Sequence, residues 1–270
     1  MDLTLIEQAK LALGRDETLR AAVMEIFANS SDLLQYLPFR NVTVTYDEDS
    51  KKTLVDDMEN ETIGIGGGDI DIDIELIKGN PTERAKLEIP LLKRLANRIV
   101  ELIIKGNSEN PYEFDGLQVR CKGGQLIDNS GALLLSKLDE LITSVNNPTH
   151  LLMNKVMGQR LGVLNKEGRI TMYKNLSILS TTYDKNYDEL LSFTEEDPSG
   201  VPQCTSIYCL SLAEDGLVGL QVGPMEVRDL GELDTKPVYR TRIEWYIGLT
   251  TIRQKSIARL RYINDGVISV

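Results

Sequence analysis

Two long patterned stretches and the chain between them predict an α+β protein, an elongated helix-and-strand domain made from two distant segments with a compact domain inserted between them. Residues 80–105 carry the apolar period of a single amphipathic helix. Residues 237–252 alternate strand-fashion, which at roughly 3.3 Å per residue gives about 50 Å of extended chain, a length commensurate with that helix. Between them, over 116–222, short helical patterns alternate with short strands, as in a compact α/β or α+β unit.

The helix is announced at both ends. Asn80 suits the cap, Pro81 the first helical position, and Glu83 the first turn, where the helix dipole favours negative charge. Leu87, Leu91, Leu95, Ile99 and Ile103 recur every four residues, widened by Leu92, Ala96 and Val100. Lys86, Lys93, Arg94, Arg98 and Glu101 fall elsewhere and define a wet side. At roughly 1.5 Å per residue the helix is about 38 Å long, so it needs a long partner. Pro90 is expected to bend it without breaking it, and Gly106-Asn107 to stop it in a left-handed turn.

Ahead of it, Leu5, Ile6, Ala9 and Leu11 mark a short helix closed by Gly14. Asp16 is placed to cap a second one, with Leu19, Val23, Met24, Ile26 and Phe27, and Ser31 or Asp32 caps a brief turn through Leu33, Leu34 and Leu37. These pieces read as an arm outside the core. Val42, Val44 and Tyr46 alternate with Thr43 and Thr45, then a charged run 47–52 leads to a second weak strand at Thr53–Val55: an exposed hairpin with its tip near Ser50. Gly64, Gly66, Gly67 and Gly68 read as a flexible joint, since a phosphate loop needs the Gly-Lys-Ser/Thr ending that is missing. Residues 69–77 form a strand with Asp69, Asp71 and Asp73 on one face and Ile70, Ile72 and Ile74 on the other. A calcium loop would need a glycine and a distal glutamate at other offsets, so a salt-bridged face is the reading.

A turn-rich hinge at 110–117 opens the inserted unit. Leu134, Leu138, Leu141, Ile142 and Val145 give a helix, 150–153 a buried strand, and Asn154 a cap for the helix of Val156, Met157 and Leu161. Strands are expected at 170–173, 176–179, 190–193, 206–212 and 217–222, with Glu195-Glu196-Asp197 in a solvated loop over 195–202. Character changes again at Gly223-Pro224. In the long strand, Tyr239, Thr241, Ile243, Trp245, Ile247 and Leu249 share one face, opposite Val238, Arg240, Arg242, Glu244 and Tyr246. Pairing with 69–77 would set Arg240 and Arg242 against Asp71 and Asp73 and lay both apolar faces on the helix.

The remaining signals exclude more than they assign. A net charge of −11 without clustered basic residues argues against a sequence-reading DNA binder. Three unpaired cysteines, Cys121, Cys204 and Cys209, fit buried thiols in a reducing compartment. Neither a secretory leader nor a run of 18 or so apolar residues is seen. His150, the single histidine, sits beside an apolar strand without a nucleophile elbow, and zinc, dinucleotide and HExxH patterns are missing. No catalytic residue, cofactor or metal site is predicted.

Specific runs carry a resemblance. Arg228-Asp229-Leu230-Gly231-Glu232-Leu233-Asp234, continuing through Thr235-Lys236-Pro237 to Tyr246, resembles the C-terminal signature of the major capsid proteins of tailed bacteriophages. Asn110-Pro111-Tyr112-Glu113-Phe114-Asp115-Gly116-Leu117 is similar to that family's approach to its axial domain, Leu151-Leu152-Met153-Asn154-Lys155 to its central strand-to-helix turn, and Leu33-Leu34-Gln35-Tyr36-Leu37-Pro38-Phe39 to its arm. The resemblance implies the Hong Kong-type capsid fold, with an N-terminal arm at 1–39 and an extended hairpin loop at 40–68. It places the peripheral domain at 69–115 and 223–270, with its spine helix at 80–105, and the axial domain at 116–222. It further implies hexamers and pentamers in an icosahedral shell, found in the virion and assembled in a bacterial cytoplasm around double-stranded DNA. Scaffolding, portal and decoration proteins are implied partners. The hairpin is shorter and more polar than the family pattern. An encapsulin-like nanocompartment shell is the alternative on the same fold, and a soluble enzyme using acids such as Asp71 and Asp73 the alternative from another class. Arg228, Asp229, Glu232, Arg240, Arg242 and Glu244 are the candidate subunit-interface residues, with pairing inside the sheet as the competing role for Arg240 and Arg242.

Overall fold

Thr4 opens the first helix as a reciprocal cap, its hydroxyl accepting from the Glu7 amide while the Glu7 carboxylate accepts from the Thr4 amide at 2.9 Å. The computed structural model describes residues 2–15, 17–56, 58, 61–77, 81–162, 172–183 and 188–268. Its first elements are α1 (Leu5–Leu13), α2 (Thr18–Ser30) and α3 (Asp32–Tyr36), the last capped by Ser31. Then come β1 (Phe39–Asn41), the hairpin strands β2 (Val44–Asp47) and β3 (Lys52–Val55), β4 (Thr62–Ile65), β5 (Gly68–Asp73), α4 (Ile74–Ile77) and α5 (Pro81–Lys105). The inserted part holds α6 (Leu117–Arg120), β6 (Leu126–Gly131), α7 (Leu135–Thr143), β7 (His150–Met153), α8 (Lys155–Arg160), β8 (Met172–Tyr173), β9 (Leu176–Ser180), β10 (Glu195–Glu196) and β11 (Pro202–Leu210). The chain ends through β12 (Leu217–Gln221), β13 (Glu226–Leu233), β14 (Lys236–Glu244), β15 (Tyr246–Thr251) and β16 (Ile257–Asn264). Asn80, Asp16 and positions 170–171 lie outside the described residues.

Three sheets organise these elements. One is ordered β1-β12-β15-β4-β3-β2, a second β6-β16-β11-β7-β9-β8 with β10 on β11, and a third β13-β14-β5. The hairpin pairs Asp47 with Lys52 and turns at 48–51, as expected. Asn154 caps α8 by accepting from the Met157 amide at 2.7 Å. Helix α5 runs unbroken through Pro90, which stands on its exposed side. Leu92, Ala96, Ile99, Val100 and Ile103 are buried in one cluster with Ile70, Ile72 and Ile243 of the third sheet. The helix therefore has the sheet partner its length demanded.

Several expectations are corrected. The stretch 237–252 is two strands, because the chain leaves the third sheet at Trp245 and joins the first. That indole is 1% exposed, lies 5.0 Å from Phe39 and 6.3 Å from Phe27, and donates to Gln221 Oε1 at 3.2 Å. The strand from 69 ends at Asp73, whose carboxylate accepts from the Glu75 amide and starts α4. The N-terminal helices are not outside the core: Leu5, Ala9, Met24, Phe27, Leu33 and Leu34 are buried in the main cluster. Burying the leucine, methionine and phenylalanine side chains among them gains about 2 kcal/mol each, which a free arm forgoes.

The glycine run is a seam, not a joint, since a Cβ on Gly67 would stand 2.2 Å from the Ile243 carbonyl and one on Gly64 2.7 Å from that of Tyr112. Gly106 is not left-handed; it is small because Leu102 O and Phe114 O would lie 2.5 and 2.6 Å from a Cβ. Strand β12, expected with the inserted unit, joins β1 and β15, while β16, beyond the expected boundary, completes the second sheet between β6 and β11. Residues 190–193 are turns with Leu190 and Leu191 buried. Glu195 is not solvated: it accepts from Arg259 at 2.9 Å and from Gln118 at 3.1 Å in a largely buried pair.

Candidate assembly surface

The antiparallel register of β5 and β14 sets Arg240 opposite Asp71 and Arg242 opposite Asp69. The first pairing is the expected one. The second falls on Asp69 instead of Asp73, because antiparallel pairing matches the higher number on one strand to the lower on the other, and Asp73 faces Val238. Arg240 grips Asp71 at 2.6 and 2.7 Å and reaches Asp69 at 2.9 Å, and Arg242 grips Asp69 at 2.7 and 2.9 Å. The Arg242 hydrogen bonds hold the Asp69 carboxyl below its ordinary range, and those of Arg240 do the same for Asp71.

Asp229 works on the other edge of this sheet. Arg84 of α5 donates to both its oxygens at 2.8 and 2.9 Å, to Glu88 at 2.8 Å and to the Thr241 hydroxyl at 3.0 Å, with its guanidinium 5.1 Å from the Tyr239 ring. These contacts tie β13 and β14 to the helix, and the Arg84 bonds lower the Asp229 pKa. Arg228 pairs with Glu244 across the β13–β14 ladder. The Glu232 side chain is exposed and makes no hydrogen bond or ion pair among the described residues. Five of the six candidates are thus engaged within their own chain.

A different surface has unused chemistry. Between α5 and β5 lies an open groove of about 920 Å3, with Ile70, Leu91, Leu95 and Leu102 as its apolar lining, Arg94, Arg98 and Lys105 as its cations, and Glu101, Glu113 and the arginine-paired Asp69 and Asp71 as its carboxylates. These three cations make no ion pair among the described residues. They stand in line along the helix, because eleven residues close about three turns, over roughly 17 Å. Arg94 and Arg98 fall on the wet side expected from the sequence, and their spacing beside Leu91 and Leu95 is the signal that a basic row borders an apolar one. The hairpin tip is mixed in charge, with Glu48 and Asp49 exposed on its leading side, Lys51 exposed just after them, and Tyr46 62% exposed just before. Ile65, Tyr112 and Tyr246 form a further exposed apolar patch, Ile65 lying opposite Tyr246 in the ladder and bonding the Tyr112 carbonyl at 3.2 Å.

Among the described residues no set of metal-ligating side chains converges, and no helix is long and apolar enough to cross a membrane. His150 Nδ1 lies 2.7 Å from the Thr149 hydroxyl under the Tyr36 ring, and burial lowers its pKa. The three cysteines are free and buried.

No protein-family model matches the sequence, and no curated protein matches it. Solved structures do. A chain of the holo-SrpI encapsulin complex from Synechococcus elongatus superposes with TM-score 0.60 at 17% identity, over 86% of this chain and 87% of that one. The capsid of the native GTA particle gives 0.55 at 11% identity, over 88% and 90%. A chain of Microbacterium phage Oxtober96 gives 0.55 at 10% identity, over 87% and 91%. With these matches the three sheets and spanning helix define the class: an α+β protein with the Hong Kong-type capsid fold. The particular form of it here has α2 packed onto the spine helix α5, with α1 and α3 packed on α2, and a short hairpin with a charged turn.

Proposed function

We propose that this chain is a shell subunit that assembles with itself, as hexamers and pentamers, into the icosahedral head of a tailed double-stranded DNA bacteriophage. The observation that carries the reading is the fold match over nearly the full length of capsid and shell chains. Scaffolding, portal and decoration proteins would be its partners. An acidic wall, with net charge −11, encloses DNA without clinging to it. In this reading 1–39 is the arm region and 40–68 the loop, with the peripheral domain at 69–115 and 223–270. The axial domain is 116–222; β16 shares a sheet with its strands, and β12 lies in the first sheet. The groove holding Arg94, Arg98 and Lys105 receives the hairpin tip of a neighbouring subunit, with Glu48 and Asp49 directed at the cations and Lys51 at Glu101 and Glu113. Of the six candidate interface residues Glu232 is free to meet a neighbour, and Arg228, Asp229, Arg240, Arg242 and Glu244 hold the sheet in shape.

One observation favours a second reading, an encapsulin-like compartment carrying a cargo protein. Residues of α1 to α3 are buried in their own subunit, so that segment is not free to lace subunits together around a genome. The test is particle content: assembled material is treated with nuclease, opened, and assayed for protected double-stranded DNA and for co-purifying protein. DNA of uniform length supports the phage head, a stoichiometric enzyme supports the compartment, and material that never exceeds a dimer contradicts both.

A further inference from the structure

The β2–β3 hairpin is thinly attached. It reaches the rest of its sheet through β4, which pairs with β3 at Thr53↔Ile63 and Leu54↔Thr62 and with β15 at Tyr246↔Ile65 and Ile247↔Gly64, and at the entry to β2, where the Val42 amide donates to the Gln221 carbonyl at 2.9 Å. A small apolar cluster of Val55, Ile63 and Leu220 backs it. Such short ladders leave the angle of a projecting hairpin weakly defined. Something else must fix it.

We infer that Arg120 is a clamp that sets the angle at which the hairpin leaves the body, acting through Glu61 at the hairpin's foot. Glu61 is joined to the end of β3 by its main chain, the Val55 amide donating to the Glu61 carbonyl at 3.1 Å. Its carboxylate receives Arg120 Nη1 at 2.9 Å, Arg120 Nη2, and the Thr250 hydroxyl at 2.8 Å. Arg120 spends its other donors on the body: Nη2 also reaches the Leu249 carbonyl of β15 at 2.5 Å, and Nε the Asp115 carbonyl at 2.6 Å. The two side chains are only 12% and 14% exposed. One guanidinium therefore joins the hairpin foot, the middle of the first sheet and the segment leading into the inserted domain. A planar fork with fixed donor directions transmits orientation as well as attraction. Swinging the hairpin requires breaking this pair in a site from which water is largely excluded, so the hairpin has a set position and a defined point of release.

The test is hydrogen–deuterium exchange on the full-length subunit in solution, comparing wild type with Arg120→Lys, which keeps the charge but loses the fork, and Glu61→Gln, which keeps the volume but loses the charge. Amides of 44–65 are expected to exchange about tenfold faster in both variants, with β7 and β11 unchanged, as for local opening. Unchanged hairpin exchange overturns the inference. So does uniform acceleration across the chain, which marks an ordinary stabilising pair. If Arg120→Lys does not fold, Glu61→Gln alone decides. The measurement is independent of the shell reading. Particle diameters tie the two together: broader size distributions from folded variants are expected, whereas wild-type diameters with a loosened hairpin would overturn the clamp's effect on the shell alone.

Discussion

Replacing Gly67 by alanine tests whether the glycine run is a seam. The added Cβ would lie 2.2 Å from Ile243 O, 2.9 Å from Trp245 N and 3.0 Å from Ile243 C, all backbone atoms at the crossing from β14 to β15. Ordinary contact begins near 3.4 Å, so the strand must retreat by about 1.2 Å at its nearest atom. Retreat also stretches the bond from the Gly66 amide to the Trp245 carbonyl, now 2.8 Å. Overpacking at the upper end of the usual range costs about 3 kcal/mol, which for a chain of this size lowers the melting temperature by roughly 6–12 °C. The assay is thermal unfolding followed by tryptophan emission, which reports Trp245 alone because it is the single tryptophan. Gly124→Ala, where a Cβ meets nothing within 4 Å, serves as control and should stay within about 0.5 kcal/mol of wild type. A flexible joint would behave oppositely, gaining about 0.4–1 kcal/mol from the stiffer alanine. Wild-type or higher stability for Gly67→Ala would refute the packing argument.

Three more outcomes are expected. Asp69, Asp71 and Asp229 titrate below their ordinary range in the folded chain. Their contribution is thus full above the unfolded carboxylate pKa of about 3.9 and is lost as pH falls through the lower folded values; urea midpoints should drop from pH 5 to pH 3, and drop less in Asp71→Asn, an equal drop counting against the pairing. Combined Arg94→Glu and Arg98→Glu should leave subunit stability within about 0.5 kcal/mol of wild type but abolish sedimenting particles, and reversing Glu48 and Asp49 to lysine should restore them; particles from the groove variant alone would remove the groove from the interface. Burial pushes the Cys121 and Cys209 thiols up to about 12 and raises that of Cys204, so a thiol-specific disulfide reagent at pH 8 should label the native chain negligibly and the unfolded chain fully, early labelling being evidence of an open core.

What was legible in the chain follows from how local each signal is. Helix α5 was readable because its period repeats over 25 residues, and the hairpin because its charged turn separates two alternating runs. Arg240 against Asp71 was readable from alternation, while its neighbour slipped to Asp69 because strand direction is not written in either strand. The break at Trp245 left no mark in the alternation: Ile243, Trp245 and Ile247 keep period two, though the strand changes sheets beneath them. Gly66 and Gly67 carry the same ambiguity, since glycine serves freedom and close approach alike and only the neighbouring backbone distinguishes them. Strands β1, β4, β6, β10, β13 and β16 were not expected, β16 because its partners β6 and β11 lie far away in sequence. Arg94 and Arg98 were seen but set aside, because an unpaired charge on a wet helix face is ordinary until the fold places an apolar groove beside it.

Self-assembly into a closed shell is read out by negative-stain electron microscopy of the purified chain, alone and with a co-expressed scaffolding protein. Closed particles or ring-shaped capsomers are the predicted result. A monomer or dimer under every condition would contradict the shell reading and return attention to Asp71 and Asp73 as groups of a soluble protein.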